Sequence, residues 1–184
     1  MPKITGGNAL IDPQIIIQKA GIAERMHVAD LGCGGTGHFV FPVAAAIGKN
    51  GIIYAVDILK NVLANIERRA NQENLQQVRT VWSNLEIFQA TKIETGSLDV
   101  SLLINILYQS DKRAEIIREA ARLTKRNGKL LIIDWNTIAT PFGPSLEERL
   151  NKENLKKIAE RLGLELTEEF AAGEYHFGMV FSKH

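Results

Sequence analysis

The feature that most constrains the fold is an alternation of short apolar runs with longer stretches of helical character. The apolar runs are rich in β-branched residues, and they cover residues 27–31, 52–56, 78–82, 98–104, 129–134, 164–170 and 175–183. Strands that alternate with helices and are apolar almost throughout indicate a mainly parallel sheet that is covered on both faces. The pattern therefore predicts an α/β protein.

The last two runs break this pattern, because only the four residues 171–174, Ala-Ala-Gly-Glu, separate them. Four residues are too few for a crossover between parallel strands, so the last strand should run antiparallel. We expect a Rossmann-like, doubly wound sheet of seven strands. It should be mostly parallel, with an antiparallel last strand that completes a C-terminal β-hairpin.

The length of 184 residues suits one domain, which we expect to span residues 1–184. Residues 1–20 are expected to form an N-terminal cap segment that includes a helix begun by Asp12 and Pro13. A helix before the fifth run is predicted to end at Asn127 and Gly128. Residues 136–149 lack a regular pattern and are predicted to be a loop on the substrate side.

Composition bears on several classes of protein. The net charge of +1 gives no strong nucleic-acid signal. Cys33 is the single cysteine, so one chain offers neither a disulfide nor a cysteine cluster for a metal, and we predict no metal site. No apolar run approaches the roughly 18 residues of a membrane span, and the N-terminus lacks the pattern of a signal peptide. We therefore expect a cytoplasmic protein.

Residues 32–37, called the glycine loop below, read Gly-Cys-Gly-Gly-Thr-Gly and follow the first predicted strand. Their spacing matches the G-x-G-x-x-G of dinucleotide-binding folds, in which free N–H groups at a helix N-terminus meet a phosphate. Asp57 ends the next strand, where an acidic side chain accepts hydrogen bonds from ribose hydroxyls. These two landmarks indicate an adenosine ligand. Such turns also occur in proteins that bind nothing there.

Asp30 lies two residues before the glycine loop and favours one kind of ligand. Its carboxylate would repel a pyrophosphate, which is already negative. It would attract a ligand with an ammonium group, such as the methionine end of S-adenosylmethionine.

With these residues, the chain resembles the class I S-adenosylmethionine-dependent methyltransferases over nearly its whole length. The shared motifs are an acidic residue before a Gly-x-Gly (Asp30 to Gly34), an acid after strand two (Asp57), and positions after strands three and four (Asn84 and Asn105). The resemblance implies S-adenosyl-L-methionine as cofactor, with S-adenosyl-L-homocysteine as product. The cofactor-binding residues it implies are Asp30, Gly32, Cys33, Gly34, Gly35, Gly37, Asp57, Ile58, Ser83, Asn84, Leu85 and Asn105.

The chain departs from the family pattern at two positions. The glycine loop has one residue more than the usual Gly-x-Gly-x-Gly, and we expect Gly35 to absorb the longer turn through a positive φ. Asn84 stands where an aspartate usually reads the adenine. A neutral carbonyl accepts more weakly than a carboxylate, so we expect binding to persist at lower affinity.

The acceptor should lie at the carboxyl ends of the parallel strands. Residues that follow strands four and five, and the hairpin before the last strand, share that edge. The substrate-side candidates are Tyr108, Trp135, Tyr175 and His176, of which Tyr175 and His176 are the candidates for a catalytic role. Each also has a structural alternative, since aromatic residues at strand ends often only pack.

The resemblance predicts a methyltransferase that acts on a small-molecule acceptor. The small family members that it resembles include quinone-biosynthesis and arsenite methyltransferases, but a lone cysteine argues against an arsenic acceptor. Two alternatives remain: an NAD-dependent oxidoreductase, and an S-adenosylmethionine-binding subunit without chemistry of its own. The sequence leaves the acceptor atom and the oligomeric state open.

Overall fold

The structure is a computed structural model that describes residues 7–184. The first six residues of the predicted cap segment 1–20 lie outside the described residues. The predicted seven-stranded α/β sheet is confirmed. Its strands are β1 (His27–Leu31), β2 (Ile52–Asp57), β3 (Val78–Trp82), β4 (Leu98–Ile104), β5 (Thr124–Trp135), β6 (Leu164–Ala171) and β7 (His176–Lys183).

The strands lie in the order β3-β2-β1-β4-β5-β7-β6. The first five strands pair in parallel, whereas β7 lies between β5 and β6 and is antiparallel to both. This arrangement confirms the predicted antiparallel last strand and the C-terminal hairpin. It also brings the beginning of β7 to the edge of the sheet where β5 ends.

Five helices cover the two faces: α1 (Pro13–Ala20), α2 (Val40–Ile47), α3 (Lys60–Gln72), α4 (Arg113–Leu123) and α5 (Lys152–Arg161). Helices α1, α2 and α3 bury their apolar sides on one face of the sheet, and α4 and α5 cover the other. Helix α1 begins where expected, because the Asp12 carboxylate accepts a hydrogen bond of 2.9 Å from the Gln14 amide.

The predicted end of α4 at Asn127 and Gly128 is wrong, since the helix ends at Leu123 and β5 begins at Thr124. The Thr124 hydroxyl donates to the Ala120 carbonyl at 2.8 Å, and Lys183 Nζ donates to the carbonyls of Ala121 and Thr124 at 2.8 Å each. These bonds satisfy the last carbonyls of the helix. The lysine comes from β7, which is distant in sequence, so local pattern could not reveal this end.

The glycine loop turns the chain sharply from β1 into α2. The amides of Gly32 and Cys33 both donate to the Val56 carbonyl on β2, at 2.8 and 3.0 Å. Gly32 has φ +90°, and a Cβ there would lie 2.3 Å from Ile106 Cδ1. The loop can therefore approach the neighbouring strands closely only with glycine at its start.

The expectation that Gly35 absorbs the extra residue through a positive φ is wrong. Gly34 and Gly37 adopt positive φ values of 66° and 61°, whereas Gly35 is not among the residues with positive φ. A Cβ on Gly37 would lie 2.5 Å from Phe41 and 2.7 Å from Ile66, whereas one on Gly35 would come no closer than 3.9 Å to Val62. The longer turn thus depends on Gly32, Gly34 and Gly37, and not on Gly35.

We expect Gly37→Ala to lower the free energy of unfolding by about 1–3 kcal/mol, because an alanine there combines a left-handed backbone with a clash. Gly35→Ala is the matched control and should change this free energy by less than about 0.5 kcal/mol. Urea unfolding of both variants tests the difference. Equal losses would contradict the assignment of the strained positions.

Candidate functional site

Asp30 lies near the end of β1 with only 2% of its surface exposed. Its Oδ2 atom accepts no hydrogen bond from any residue in the range 7–184. Burial, followed by the nearby Asp57 carboxylate, raises the pKa of Asp30 to about 7. A buried carboxyl group without a donor is costly, and a cation beside it would relieve that cost.

Asp57 lies at the end of β2 and connects the glycine loop to the following turn. Its Oδ2 accepts from the Gly34 amide at 3.1 Å, and its Oδ1 accepts from the Leu59 amide at 3.0 Å. Its backbone carbonyl accepts from the Ser83 amide at 3.1 Å. The structure therefore brings together three predicted cofactor positions, on the glycine loop, after β2 and after β3.

The residues that follow β2 and β3 form the next part of this edge. Ile58 is half-exposed, and its carbonyl accepts a hydrogen bond of 2.8 Å from the indole N–H of Trp82. Leu85 is buried, and the carbonyl oxygen of the Asn84 side chain accepts from the Glu86 amide at 3.0 Å. The oxygen predicted to face an adenine thus already has one donor, although an amide oxygen accepts two hydrogen bonds.

Asn105 follows β4 with a φ of +54° and is 3% exposed. Its Nδ2 donates to Asn8 Oδ1 at 3.0 Å, and its Oδ1 finds no donor within the described part of the chain. Asn8 belongs to the cap segment, so this segment reaches the predicted cofactor edge. No motif singles out Asn8, because its partner is remote in sequence.

Asp30 and Asn105 thus lie at the carboxyl ends of the neighbouring strands β1 and β4. Each has a buried acceptor oxygen, Asp30 Oδ2 and Asn105 Oδ1, that finds no donor among residues 7–184. Buried acceptors are nearly always hydrogen-bonded in folded proteins. An ammonium group brings three donors and a positive charge, which suits both oxygens. This part of the edge is complementary to a small cationic group.

The Cys33 side chain does not add a reactive group to this edge. The residue is buried, and burial together with the Asp30 and Asp57 carboxylates raises the pKa of its thiol. Among residues 7–184, no group of three or more His, Cys, Asp or Glu side chains is arranged to hold a metal ion.

A second part of this edge lies where β5 ends and β7 begins. Trp135 was expected to follow its strand, but it is the last residue of β5 and pairs with His176, the first residue of β7. Trp135 is 0% exposed and His176 is 1% exposed. Their ring centres are 4.4 Å apart, with 42° between the planes. Since β7 is antiparallel, its first residue lies beside the last residue of β5.

The Trp135–His176 pair carries the other unpartnered polar atoms. Trp135 Nε1 and both ring nitrogens of His176 lack a hydrogen-bond partner in the portion of the chain that the structure describes. Burial, followed by the nearby Arg149 guanidinium, lowers the pKa of His176 to about 4. The imidazole is therefore neutral near pH 7, with one N–H donor and one acceptor nitrogen.

The segment 136–149 lies over this pair. Gly143 contacts the indole so closely that a Cβ would lie 2.6 Å from its Cη2 atom, and Phe142 packs edge-on against Tyr175 at 5.1 Å. Arg149 holds the segment through four acceptors of the chain. They are the carbonyls of Pro144 (3.2 Å), Asn136 (3.0 Å) and Ile138 and the hydroxyl of Thr140 (2.9 Å).

Tyr108 does not join the Trp135–His176 pair. Its amide donates to the Asp134 carboxylate at 3.3 Å, and its side chain packs against the apolar layer under α4 and α5. Successive residues of a strand point to opposite faces, so Asp134 and Trp135 face different sides of the sheet. Burial raises the pKa of Asp134 to about 7, although backbone N–H donors oppose this rise.

Sequence reasoning missed Arg149, because its partners are mostly backbone carbonyls that no side-chain pattern reveals.

Within residues 7–184, no helix has both the length and the apolar character needed to cross a membrane.

Comparison with known proteins gives a match to a family model described as a methyltransferase domain, over residues 22–173. A demethylmenaquinone methyltransferase from Lactococcus lactis subsp. lactis (strain IL1403) is 23% identical over 126 residues. This match covers 68% of the chain and 48% of the relative. The chain thus spans about half the length of the curated relative it matches.

Solved structures show the same fold. A SAM-dependent methyltransferase from Aquifex aeolicus superimposes with a TM-score of 0.84 at 22% identity, covering 96% of this chain and 92% of that one. The [4+2]-cyclase SpnF superimposes with a TM-score of 0.78 at 13% identity, covering 93% of this chain and 80% of that one. At such identities the likeness concerns the fold alone.

Proposed function

Since the chain belongs to the class I S-adenosylmethionine-dependent methyltransferases, we propose that it transfers a methyl group to a small-molecule acceptor. S-adenosylmethionine is the cofactor of this family. We further propose that the twelve positions inferred from the sequence, from Asp30 to Asn105, bind this cofactor. The acceptor side is assigned to Trp135, Tyr175 and His176, with the segment 136–149 as its cover.

The observation that carries the proposal is the pair of buried acceptors without donors, Asp30 Oδ2 and Asn105 Oδ1, among residues 7–184. The methionine end of the cofactor carries an ammonium group, which supplies donors and a positive charge to both. A pyrophosphate would bring negative charge to Asp30, so the same pair argues against a dinucleotide.

When bound, the cofactor supplies a methyl group on a sulfonium, which is already activated for in-line displacement. The task left to the chain is to hold both reactants in line, and such positioning alone accelerates a reaction greatly. We assign Asp57 to the ribose hydroxyls, because its carboxylate lies between the glycine loop and the turn after β2. Ile58, Asn84 and Leu85 are assigned to the adenine.

His176 is the candidate to accept a proton from an acceptor that must lose one. Its lowered pKa keeps the acceptor nitrogen free at neutral pH, although a pKa of about 4 makes it a weak base. Hydrogen bonding to the acceptor is therefore its stronger role. Tyr175 is partly exposed and packs on Phe142, which places its ring at the border of the covering segment.

The relative from Lactococcus lactis is named for an organic acceptor, demethylmenaquinone, which supports a small organic molecule as the class of acceptor. An arsenic acceptor, which would need several thiolates, is disfavoured because Cys33 is the single cysteine and is buried. We also propose a cytoplasmic location, for which the lone thiol is the support.

The [4+2]-cyclase among the structural neighbours shows that this fold also occurs in a protein named for another reaction. Calorimetry with S-adenosylhomocysteine and with NAD tests the cofactor first. Transfer of a labelled methyl group to a panel of small aromatic and aliphatic alcohols, amines and carbon acids tests the reaction. Heat with NAD alone would overturn the proposal, and cofactor binding without any transfer would favour a binding subunit or another reaction.

We expect Asp57→Ala to weaken the binding of S-adenosylhomocysteine by about 1.5–3 kcal/mol, the range for a hydrogen bond to a charged group. Calorimetry measures the change. The control is Glu67→Ala, which removes a carboxylate from an exposed position of α3 and should leave the affinity unchanged. An unchanged affinity in folded Asp57→Ala would show that the ribose is not bound there.

The affinity for S-adenosylhomocysteine should fall about tenfold between pH 8 and pH 6. The pKa of Asp30 is raised to about 7 in the free protein, so lowering the pH protonates the carboxylate that attracts the ammonium. Asp30→Asn should bind more weakly at pH 8 and lose most of this pH dependence. Calorimetry across this range checks both proteins, and equal slopes would contradict the role of Asp30.

The raised pKa of Asp30 also affects the stability of the protein without ligand, but a higher pH lowers this stability whereas it raises the affinity. Its ionised Asp30 is destabilised by burial, so the free energy of unfolding should fall as the pH rises from about 4 to about 7. Urea unfolding without ligand should show a smaller fall for Asp30→Asn than for the unmodified protein.

A further inference from the structure

We propose that Trp135 and His176 form the floor of a closed site for uncharged planar molecules that carry a hydroxyl or carbonyl oxygen. Segment 136–149, held by Arg149, covers this site until the molecule enters. The inference rests on the proposed function and deepens it, because it names the chemical class of the acceptor and the part of the chain that admits it.

The first support is the concentration of unpartnered polar atoms on this pair. Trp135 Nε1 and His176 Nδ1 and Nε2 make up three of the five such buried side-chain atoms found in residues 7–184. Both residues are at least 99% buried, so bulk solvent does not reach these atoms. Buried polar groups without partners destabilise a fold, and in native proteins they call for an explanation. A ligand that pairs with these atoms supplies one.

The second support is the type of atom that the pair presents. The indole Nε1 can only donate, whereas the neutral imidazole donates from one nitrogen and accepts at the other. The two nitrogens of one imidazole point in different directions, so a single ligand oxygen pairs with one of them and with the indole N–H. A hydroxyl oxygen accepts from the indole and either donates to the acceptor nitrogen or accepts from the imidazole N–H. A carbonyl oxygen satisfies the two donors. The Trp135 and Phe142 rings, whose centres are 6.4 Å apart with 57° between the planes, give the pair aromatic surroundings that suit edge-to-face contact with an aromatic ligand.

The charges near the pair exclude a cation and disfavour an anion. The Arg149 guanidinium carbon lies 5.4 Å from the centre of a Trp135 ring and would repel a positive ligand. Its N–H groups already donate to four oxygens of segment 136–149, so it offers few donors to an anion. A buried carboxylate would then have more acceptor sites than donors, which is costly.

The cover consists mainly of backbone. Gly143 and Gly7 both approach the indole so closely that an added Cβ would lie within 2.6 and 2.3 Å of its ring carbons. Segment 136–149 contains neither a helix nor a strand, and the Arg149 side chain bonds to acceptors at residues 136, 138, 140 and 144. One side chain therefore holds the segment in its turn, with its guanidinium 5.4 Å from a Trp135 ring centre. Segments held in this way open at lower cost than sheet or helix.

The indole N–H signals in a ¹H–¹⁵N spectrum of the full chain test the ligand class. The chain has two tryptophans, and Trp82→Phe leaves Trp135 as the only indole signal. Phenol, toluene and benzoate are the probes, because they share a ring and differ in the polar group. Phenol is expected to shift the Trp135 signal and to bind about three- to tenfold more tightly than toluene, as one or two added hydrogen bonds imply. Benzoate should bind more weakly than phenol.

His176→Phe should reduce the preference for phenol over toluene and leave toluene binding in place, because the imidazole hydrogen bond is lost while Trp135 Nε1 and a ring of similar size remain. The comparison of the three probes on the His176-containing protein stands even if this variant does not fold. Equal affinities for phenol and toluene, tighter binding of benzoate, or no shift of the Trp135 signal at millimolar probe would each overturn the inference.

Exchange of the Trp135 indole proton with solvent tests the cover. Arg149→Gln should accelerate this exchange tenfold or more, whereas Arg118→Gln, a control on the exposed side of α4, should not. Unchanged exchange in folded Arg149→Gln would overturn the role of Arg149. Calorimetry with S-adenosylhomocysteine on the same samples separates the two proposals. Cofactor binding without phenol recognition rejects only this inference, and phenol recognition without cofactor binding rejects the proposed function.

Discussion

The site depends on the position of β1 in the middle of the sheet. The chain builds outwards from β1 through β2 and β3 on one side, and through β4 and β5 on the other. The connections on the two sides therefore leave from neighbouring strands in opposite directions, and a crevice remains at the carboxyl ends of β1 and β4. Asp30 and Asn105 lie at that crevice. The burial of their side-chain oxygens results from the order of the strands more than from any local feature of the sequence.

The glycine loop makes this crevice accessible to a ligand. Because Gly32 has no side chain, the turn after β1 packs directly against Ile106, and the amide of Gly34 reaches the Asp57 carboxylate. A bulkier turn would move these groups apart. The close approach of backbone to neighbouring strands thus connects the fold to the proposed cofactor site.

Much of the fold could be predicted from the sequence, because apolar runs and short connections reflect local physical preferences. The antiparallel β7 followed from a connection of four residues between two strands. The end of α4 could not be predicted, since Lys183 from β7, which is distant in sequence, satisfies its last carbonyls. The positive φ expected of Gly35 is wrong, because a sequence shows which residues tolerate a positive φ and not which ones adopt it.

The site residues that follow strand ends could be predicted from the sequence. The contacts that depend on the covering segment 136–149 could not. Asp30, Asp57 and Asn105 have motif positions, whereas Asn8 and Arg149 contact the site through partners that no spacing reveals. The burial of Trp135 also had no local signal. It results from the closing of segment 136–149 and of Gly7 over the indole, which is a tertiary event.

The place of β7 in the sheet has a consequence for the order in which the molecule is assembled. Strand β6 leaves the ribosome before β7, yet in the sheet it pairs only with β7. It must therefore wait with both edges unpaired until the following strand has been made. Asp30, Asp57 and Asn105 are already synthesised by then, whereas Trp135 meets His176 only after β7 appears. A nascent chain would acquire the two halves of its site at different times, with the Trp135–His176 half last.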